Sequence, residues 1–571
     1  MSPTFLMPSD SAASLPTSTV PWRRDLVWLA LAFGLLFGLF LGRAPLANPD
    51  EGRYAEIPRE MIERGDYVTP KLNGVNYFEK PPLVYWAVAA SLRVFGFNEW
   101  ASRLVPALSG LGGVLLTYAA ARRLQGRAAG LASAVVLGTS LLFFALSRLL
   151  ILDMAVSVLM CATLFCFILG VREEPGSRRR WLFYGLYASA ALATLTKGLI
   201  GFLVTGAVMF LWLLIFNQWK RLRPLYLPTG VLLFLAIAAP WHLLAAQRNP
   251  GWAHFYFIHE HWERFTTTEH GRYEPWWFFI PVVLLGLFPW VGFLWSGLKE
   301  ALAGGWARRR ENADAWFLVT WAGFVILFFS KSQSKLIPYI LPVFPPLAVI
   351  IGTWLSRCWM ENAAKRLRLG LNVFAFVSGL LAVGLVIAVS TTLIITDVVQ
   401  ADELRPLAFG IAAVLFLGGV AAPWAARMGR PRAALVTMVG TMTGLGVLLV
   451  LGIPAIQKAG TKELALVVAA RAKAGDRVYH YHEFFHDFTF YAQRTVGTVA
   501  YQSELEFEMD PVAAKSGHFV DETEFRRQWS GPGRIFAVAR KRDVTTLFAD
   551  AAFRYHLLGE TRGHYLFSNQ P

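Results

Sequence analysis

The sequence predicts an α-helical polytopic membrane protein that ends in a soluble α/β domain. Three observations predict it. Of the 571 residues, 55% are hydrophobic and only 16% are charged, where a soluble chain carries nearer a quarter charged. Apolar runs of about 18 to 25 residues, long enough to cross a bilayer, recur from Leu26 to Leu451. Beyond Leu451 the composition changes, and the last ~115 residues read as an ordinary soluble domain. The expected organisation is a cytoplasmic tail over 1–25, a membrane domain over 26–455 and a soluble domain over 456–571.

Judged by apolar length, spans fall near 26–43, 101–121, 129–146, 151–171, 181–196, 199–217, 225–247, 276–297, 314–330, 337–356, 370–394, 405–425 and 433–453, about thirteen in all. One set of connecting loops is short and basic, including Arg122-Arg123, Arg178-Arg179-Arg180, Arg308-Arg309-Arg310 and Lys365-Arg366. Lys and Arg mark cytoplasmic loops, so the other set faces outward. That set holds the 44–100 segment, Ser147 to Leu150, Lys197, the 248–275 segment and Lys331 to Lys335. An odd number of spans places the C-terminal domain with them. Pro82 to Phe97 is also apolar, but it is short and carries Arg93. Counting it as a span would put every later basic loop outside, so it reads as an interfacial or re-entrant helix.

The formal charge of +16 does not indicate nucleic acid. The positive residues cluster in short loops between apolar runs, where they set topology and meet anionic lipid. The three cysteines, Cys161, Cys166 and Cys358, lie in or beside spans and make neither a disulfide framework nor a metal-spacing motif. There is no Walker-type phosphate loop. An outward-facing site meets no nucleotide triphosphate, so an activated group must arrive already activated, on a lipid.

Five constellations carry charge to that outer face. The densest is Asn48-Pro49-Asp50-Glu51-Gly52-Arg53-Tyr54-Ala55-Glu56, directly after the first span. Asn48 or Asp50 can cap a short helix running to Glu63. A cap alone does not explain several carboxylates and Arg53 at a membrane boundary, where ionisable groups are costly. In Tyr77-Phe78-Glu79-Lys80-Pro81-Pro82 the prolines favour extended backbone, which would present Glu79 and Lys80 in opposite directions. Lys80 can act as a point charge for a phosphate. Asp153, at the outer end of a span, needs a partner, and Arg148 is the nearest basic residue in sequence. The outer loop His259-Glu260-His261-Trp262-Glu263-Arg264 offers His261 and Arg264. Glu79 and His261 are the candidate ligands of a divalent metal such as zinc, although the chemistry requires no cofactor. Lys331 to Tyr339 brings Lys335 and Tyr339 to the mouth of a span, and with Lys80, Lys197 and Arg264 they can form a cationic cradle for a phosphate. In the soluble domain His480, His482 and His486 read as surface histidines with no ligand set, and His480 and His482 share a face of an expected strand.

These residues resemble the membrane glycosyltransferases of the GT-C class, the protein O-mannosyltransferase-like superfamily. The matching segments are Pro49-Asp50-Glu51…Arg53-Tyr54-Ala55-Glu56, Gly65-Asp66, Tyr77-Phe78-Glu79-Lys80-Pro81, Leu152-Asp153, Thr196-Lys197-Gly198, His261…Arg264-Phe265, Pro289-Trp290 and Lys335-Leu336…Tyr339-Ile340-Leu341. They run in order through most of the membrane domain. The Phe-Glu-Lys-Pro stretch is most similar to the lipid A 4-amino-4-deoxy-L-arabinose transferases, and the chain departs from them in Pro82 followed by Leu83.

The resemblance implies a GT-C fold, a donor of aminoarabinose on undecaprenyl phosphate, and lipid A phosphates as acceptor. It implies an inverting, nucleotide-independent transfer by a monomer in the bacterial inner membrane, and resistance to polymyxin and other cationic peptides. The expected catalytic residues are Asp50, Glu79 and Asp153. The expected substrate contacts are Arg53, Tyr54, Tyr77, Lys80, Lys197, Arg264, Lys335 and Tyr339. Two readings compete with this one: transfer of another polyprenyl-linked sugar to a protein or glycan hydroxyl, and lipid transport without chemistry. A transporter shows inverted repeats and broken midplane helices; here the charges crowd one face instead.

Overall fold

The computed structural model of the chain describes residues 21–258, 274–391, 401–456, 460–501 and 518–571. A helix stands at every segment expected to span. Among the described residues, eight helices are long and apolar enough to cross a membrane, and a bent pair makes a ninth if counted as one span. That pair, Phe279–Gly286 and Trp290–Ala301, turns through 100° at its break, so the 276–297 segment is not one straight rod. The 129–146 segment is likewise divided, into Arg127–Gly138 and Leu141–Leu146. Gly126, at φ +91°, separates Glu99–Gln125 from Arg127–Gly138 and lets the chain reverse direction there.

The 44–100 segment is a folded layer over the helices. It holds the helix Asp50–Arg64, a hairpin of Lys71–Leu72 with Val75–Asn76, and the helix Leu83–Phe95. Gly65 ends the first helix at φ +67°, the left-handed conformation that glycine adopts at no steric cost. Leu83–Phe95 has 13 residues, about 20 Å of helix, too short for a hydrocarbon core of about 30 Å. Pro82, the departure noted above, stands immediately before its first turn. Tyr85, Val88 and Leu92 are buried while Val94 and Phe95 are exposed, so it is a one-sided helix lying on the bundle.

The C-terminal domain is a six-stranded sheet ordered Phe519–Val520, Gly497–Val499, Arg477–Tyr481, Ile535–Arg540, His564–Ser568, His556–Glu560. The first four strands are parallel and the last two antiparallel. His480 is fully buried in this domain and His486 nearly so, which corrects their reading as surface histidines. The Phe485 amide donates to His480 Nδ1 at 3.1 Å. His482, at φ +59°, ends the strand and meets Glu522 at 2.7 Å.

The sheet domain is fastened to the 44–100 layer by specific polar bonds. Asn73 and Val496 exchange two bonds of 2.8 Å. Asn48 and Asp487 pair side chain to side chain, and the Asp487 amide donates to Asn48 Oδ1 at 2.9 Å. The Leu46 amide donates to Tyr491 Oη at 2.8 Å, and Tyr491 donates to Glu99 at 2.9 Å. Gly52 sits so close to the helix His486–Ala492 that a Cβ there would lie 2.4 Å from the Asp487 amide nitrogen. Only glycine allows that approach.

Candidate active site

The acidic run Asn48–Glu56 divides its carboxylates between two jobs. Asp50 is the first residue of the helix Asp50–Arg64 and its side chain is half exposed, paired with Arg53 at 3.0 Å. Neither Asn48 nor Asp50 caps the helix with its side chain, contrary to expectation, because Asn48 is turned to Asp487 and Asp50 to Arg53. Glu51 is buried and receives Arg103 at 2.7 and 2.8 Å, the Leu150 amide at 2.9 Å and the Ala47 amide at 2.9 Å. Arg103 in turn donates to the carbonyls of Leu41, Ala44 and Pro45. Glu56 is closed by a two-pronged bond from Arg59, both contacts at 2.7 Å. Glu60 accepts from the Gly74 amide at 3.0 Å. Burial, and then the nearby Glu56, push the Glu60 carboxyl up to about 7.

Arg148 does not pair with Asp153. Its guanidinium donates to the carbonyls of Leu36, Phe37 and Leu39, at 3.2, 2.6 and 2.6 Å, and so closes the C-terminal end of the chain's first helix, Trp22–Gly38. Asp153, in the first turn of Leu152–Gly170, is held instead by Lys197 at 2.5 Å. Lys197 is the last residue of Ser177–Lys197, and Gly198 at φ +83° stops the helix behind it. That explains Thr196-Lys197-Gly198 physically: the helix end favours a cation, and the glycine turns the chain away. The Lys197 ammonium also lies 4.3 Å from the centre of the Tyr339 ring, a cation–π contact.

Glu79 and Lys80 do not diverge. The backbone bends at both residues, Lys80 Nζ donates to the Glu79 carbonyl at 2.7 Å, and the two side chains lie 3.6 Å apart. Both line a cavity of about 590 Å³ that also takes in Asp153, Lys197 and Tyr339. One end of the cavity is thus charged. The rest is mainly apolar, with Leu203, Val204, Phe324 and Phe328 among its walls.

Arg53, Tyr54 and Tyr77 stand behind this charged end. Burial drives the Tyr54 phenol far up; Arg53 opposes this, while Asp50, Glu79 and Asp153 all add to it, so these carboxylates act on one point. Tyr77 is raised by burial and by Glu79, and its buried hydroxyl has no hydrogen-bond partner among the described residues. Lys335 is buried nearby, donating to the Glu274 carbonyl at 2.7 Å, and burial lowers its ammonium. His261 and Arg264 lie outside the described residues. Among the described residues no three His, Cys, Asp or Glu side chains are grouped to hold a metal. Glu79, the one described candidate ligand, already faces an ammonium, which opposes a second cation there.

Sequence reasoning did not single out Ser157, Ser332 and Ser334 on the cavity wall, or the buried Glu51–Arg103 pair. The serines carry no spacing signal. The charged pair is separated by 52 positions, so only the fold reveals it.

The family model described as dolichyl-phosphate-mannose-protein mannosyltransferase matches residues 79–243, and that described as aminoarabinose transferase C-terminal domain matches 464–563. The chain is 32% identical over 397 residues to an undecaprenyl phosphate-α-4-amino-4-deoxy-L-arabinose arabinosyl transferase of Pectobacterium carotovorum, covering 69% of each chain. It is 32% identical to the protein of that name in Yersinia enterocolitica, over 62% of this chain and 63% of that one, a little under two thirds of the relative's length. Its fold is similar to the crystal structure of ArnT from Cupriavidus metallidurans bound to undecaprenyl phosphate. The TM-score is 0.84 at 28% identity, covering 95% of this chain and 98% of that one.

Proposed function

The chain belongs to the undecaprenyl phosphate-aminoarabinose arabinosyltransferase family of membrane glycosyltransferases, and from that premise we propose that it transfers 4-amino-4-deoxy-L-arabinose from undecaprenyl phosphate to a phosphate of lipid A. The site faces the periplasm of a bacterial inner membrane, and the product makes the outer membrane less anionic and resistant to polymyxin. The observation that carries this reading is the two-part cavity. Its apolar length suits a prenyl chain, and its charged end holds Glu79, Lys80, Asp153, Lys197 and Tyr339 where the phosphate and sugar would lie.

The reaction breaks the bond from the sugar's anomeric carbon to the lipid phosphate, which leaves with the electron pair. A phosphate oxygen of lipid A attacks the same carbon from the opposite face. Lys80, with Lys335, Tyr339 and Arg264, neutralises the charge growing on the leaving phosphate. A phosphate acceptor is already largely anionic near neutral pH, so no base has to take a proton from it. Asp50 and Asp153 therefore serve to hold the sugar's ammonium group and to stabilise positive charge at the reacting carbon. Lys197 fixes the Asp153 carboxylate in place, and Glu79 does the same for Lys80.

The test is the purified full chain with the lipid-linked aminosugar and lipid A, read by mass spectrometry. A mass gain of one aminopentose per modified phosphate is expected. Transfer to a protein or glycan hydroxyl with lipid A untouched would overturn the reading. Asp50→Asn is expected to lose turnover; near-normal turnover would remove Asp50 from any essential role.

A further inference from the structure

At the end of the bundle away from the charged layer, the first turn of the helix Trp22–Gly38 carries Arg23-Arg24-Asp25. Asp25 is only 3% exposed. It accepts from Tyr118 at 2.5 Å, from Arg122 at 2.9 Å and from Arg127 at 2.6 and 2.8 Å. Trp22 lies over the Arg122 guanidinium at 4.4 Å, and Arg24 remains exposed beside them. Among the described residues lining this corner, Arg24 and Arg127 outnumber the one carboxylate, Asp25, and leave it net positive. Arg127 binds Asp25 through Nε and Nη2, which directs its Nη1 away from the carboxylate.

A furrow of about 780 Å³ runs from Arg24 and Arg127 along the bundle, and Phe33, Leu36, Leu131, Val135 and Val439 wall it. It lies between three helices, Trp22–Gly38, Arg127–Gly138 and Pro431–Ile456. Trp28, Leu31 and Leu35, on the same first helix, are more than half exposed, as side chains facing hydrocarbon are. From Arg24 to Leu36 the helix rises about 18 Å, which matches the depth of one leaflet, about 15 Å of hydrocarbon. A cationic rim over an apolar furrow one leaflet deep fits an amphiphile with a single phosphate and a chain of ordinary fatty-acid length. A polyprenyl chain is far longer than this furrow.

We propose that this furrow is a binding site for an anionic glycerophospholipid of the leaflet opposite the catalytic cavity. Its phosphate rests on Arg24 and Arg127, and one acyl chain lies along Phe33 and Val135. A zwitterionic lipid brings no net charge to match the corner, so the site discriminates by headgroup. The site is separate from the donor cavity and shares no lining residue with it.

The experiment uses the full chain, purified and delipidated in neutral detergent. It is titrated with phosphatidylglycerol, phosphatidylethanolamine or undecaprenyl phosphate and read by native mass spectrometry and thermal melting. Phosphatidylglycerol is expected to bind saturably and raise the melting temperature more than phosphatidylethanolamine does. Arg24→Gln should weaken it about fivefold, the size of one basic contact at a membrane surface. Leu131→Trp, which fills the furrow, should abolish the headgroup preference, and both variants should keep transferase activity. Equal binding of the two glycerophospholipids overturns the proposal. So does phosphatidylglycerol binding unaffected by Arg24→Gln, or undecaprenyl phosphate displacing phosphatidylglycerol from the site.

Discussion

Glu51 is the residue on which the catalytic layer hangs, and its removal is the most informative single change. Its carboxylate meets Arg103, the Leu150 amide and the Ala47 amide at once. It therefore joins the strand of chain before Asp50 to the turn before Asp153. In Glu51→Ala, Arg103 keeps its three carbonyl partners but loses its only carboxylate among the bonds described, while remaining 4% exposed. Breaking a buried pair by removing one member costs about 3–5 kcal/mol. At a few degrees per kcal/mol, thermal melting in detergent should fall by roughly 5 °C or more. Turnover should drop too, because Asp50 and Asp153 lose their common tie. Glu51→Met with Arg103→Met removes both charges and their desolvation together, so it should recover much of the melting loss. Fluorescence melting and transfer to lipid A, measured on the same preparations, decide the matter. Unchanged melting with abolished turnover in Glu51→Ala would refute the structural role and make Glu51 a reacting group.

Three further outcomes follow from the same geometry. Lys197→Met frees Asp153 from its 2.5 Å partner and should lower kcat about a hundredfold, the usual cost of one well-placed electrostatic contact, with the double change Asp153→Asn, Lys197→Met costing little more; additive losses measured by steady-state kinetics would break the pairing argument. Glu60 has its folded carboxyl raised from 4.5 to about 7, so the folded state binds that proton more tightly. Its contribution to stability is fully present below about pH 4.5 and is lost as pH rises to about 7. Glu60→Gln should therefore melt higher than the parent at pH 8 and flatten the dependence between those values in a series of thermal melts. Asp487→Ala removes the bonds to Asn48 and Thr461 and should cost about 1–3 kcal/mol of stability; limited proteolysis of the 44–100 layer should quicken in it, and an unchanged digestion rate would show that the clamp is idle.

The membrane segments were legible because an apolar run long enough to cross a bilayer has few other uses. Breaks within them were less so. In 276–297 the signal is local and the length of the apolar run hides it: Gly286 ends the first half and Pro289, which cannot continue a helix, stands at the 100° turn. Among site residues, Glu79, Lys80, Asp153, Lys197 and Tyr339 were found because charged groups at the ends of apolar runs are conspicuous, and they do share one cavity. Their partners were not readable. Arg148 is closer than Lys197 to Asp153 in sequence, yet it is drawn to the open carbonyls at the end of the first helix. Those carbonyls have no other donor within their own helix, and sequence distance carries no record of that demand.

The acidic run after the first span shows how the fold sorts like residues into unlike roles. Asp50 and Glu51 are adjacent, so on a helix they point about 100° apart. One turns to the edge of the layer, where it keeps water and Arg53. The other turns inward, where only a full set of donors can make a buried carboxylate tolerable. Glu56 and Glu60, four apart, share another face of the same helix, which is also buried, and are each supplied with donors. A charge that is fully matched inside the protein has little left to offer a substrate. Asp50 retains that capacity because the adjoining carboxylate, with Arg103, anchors the helix on which it stands.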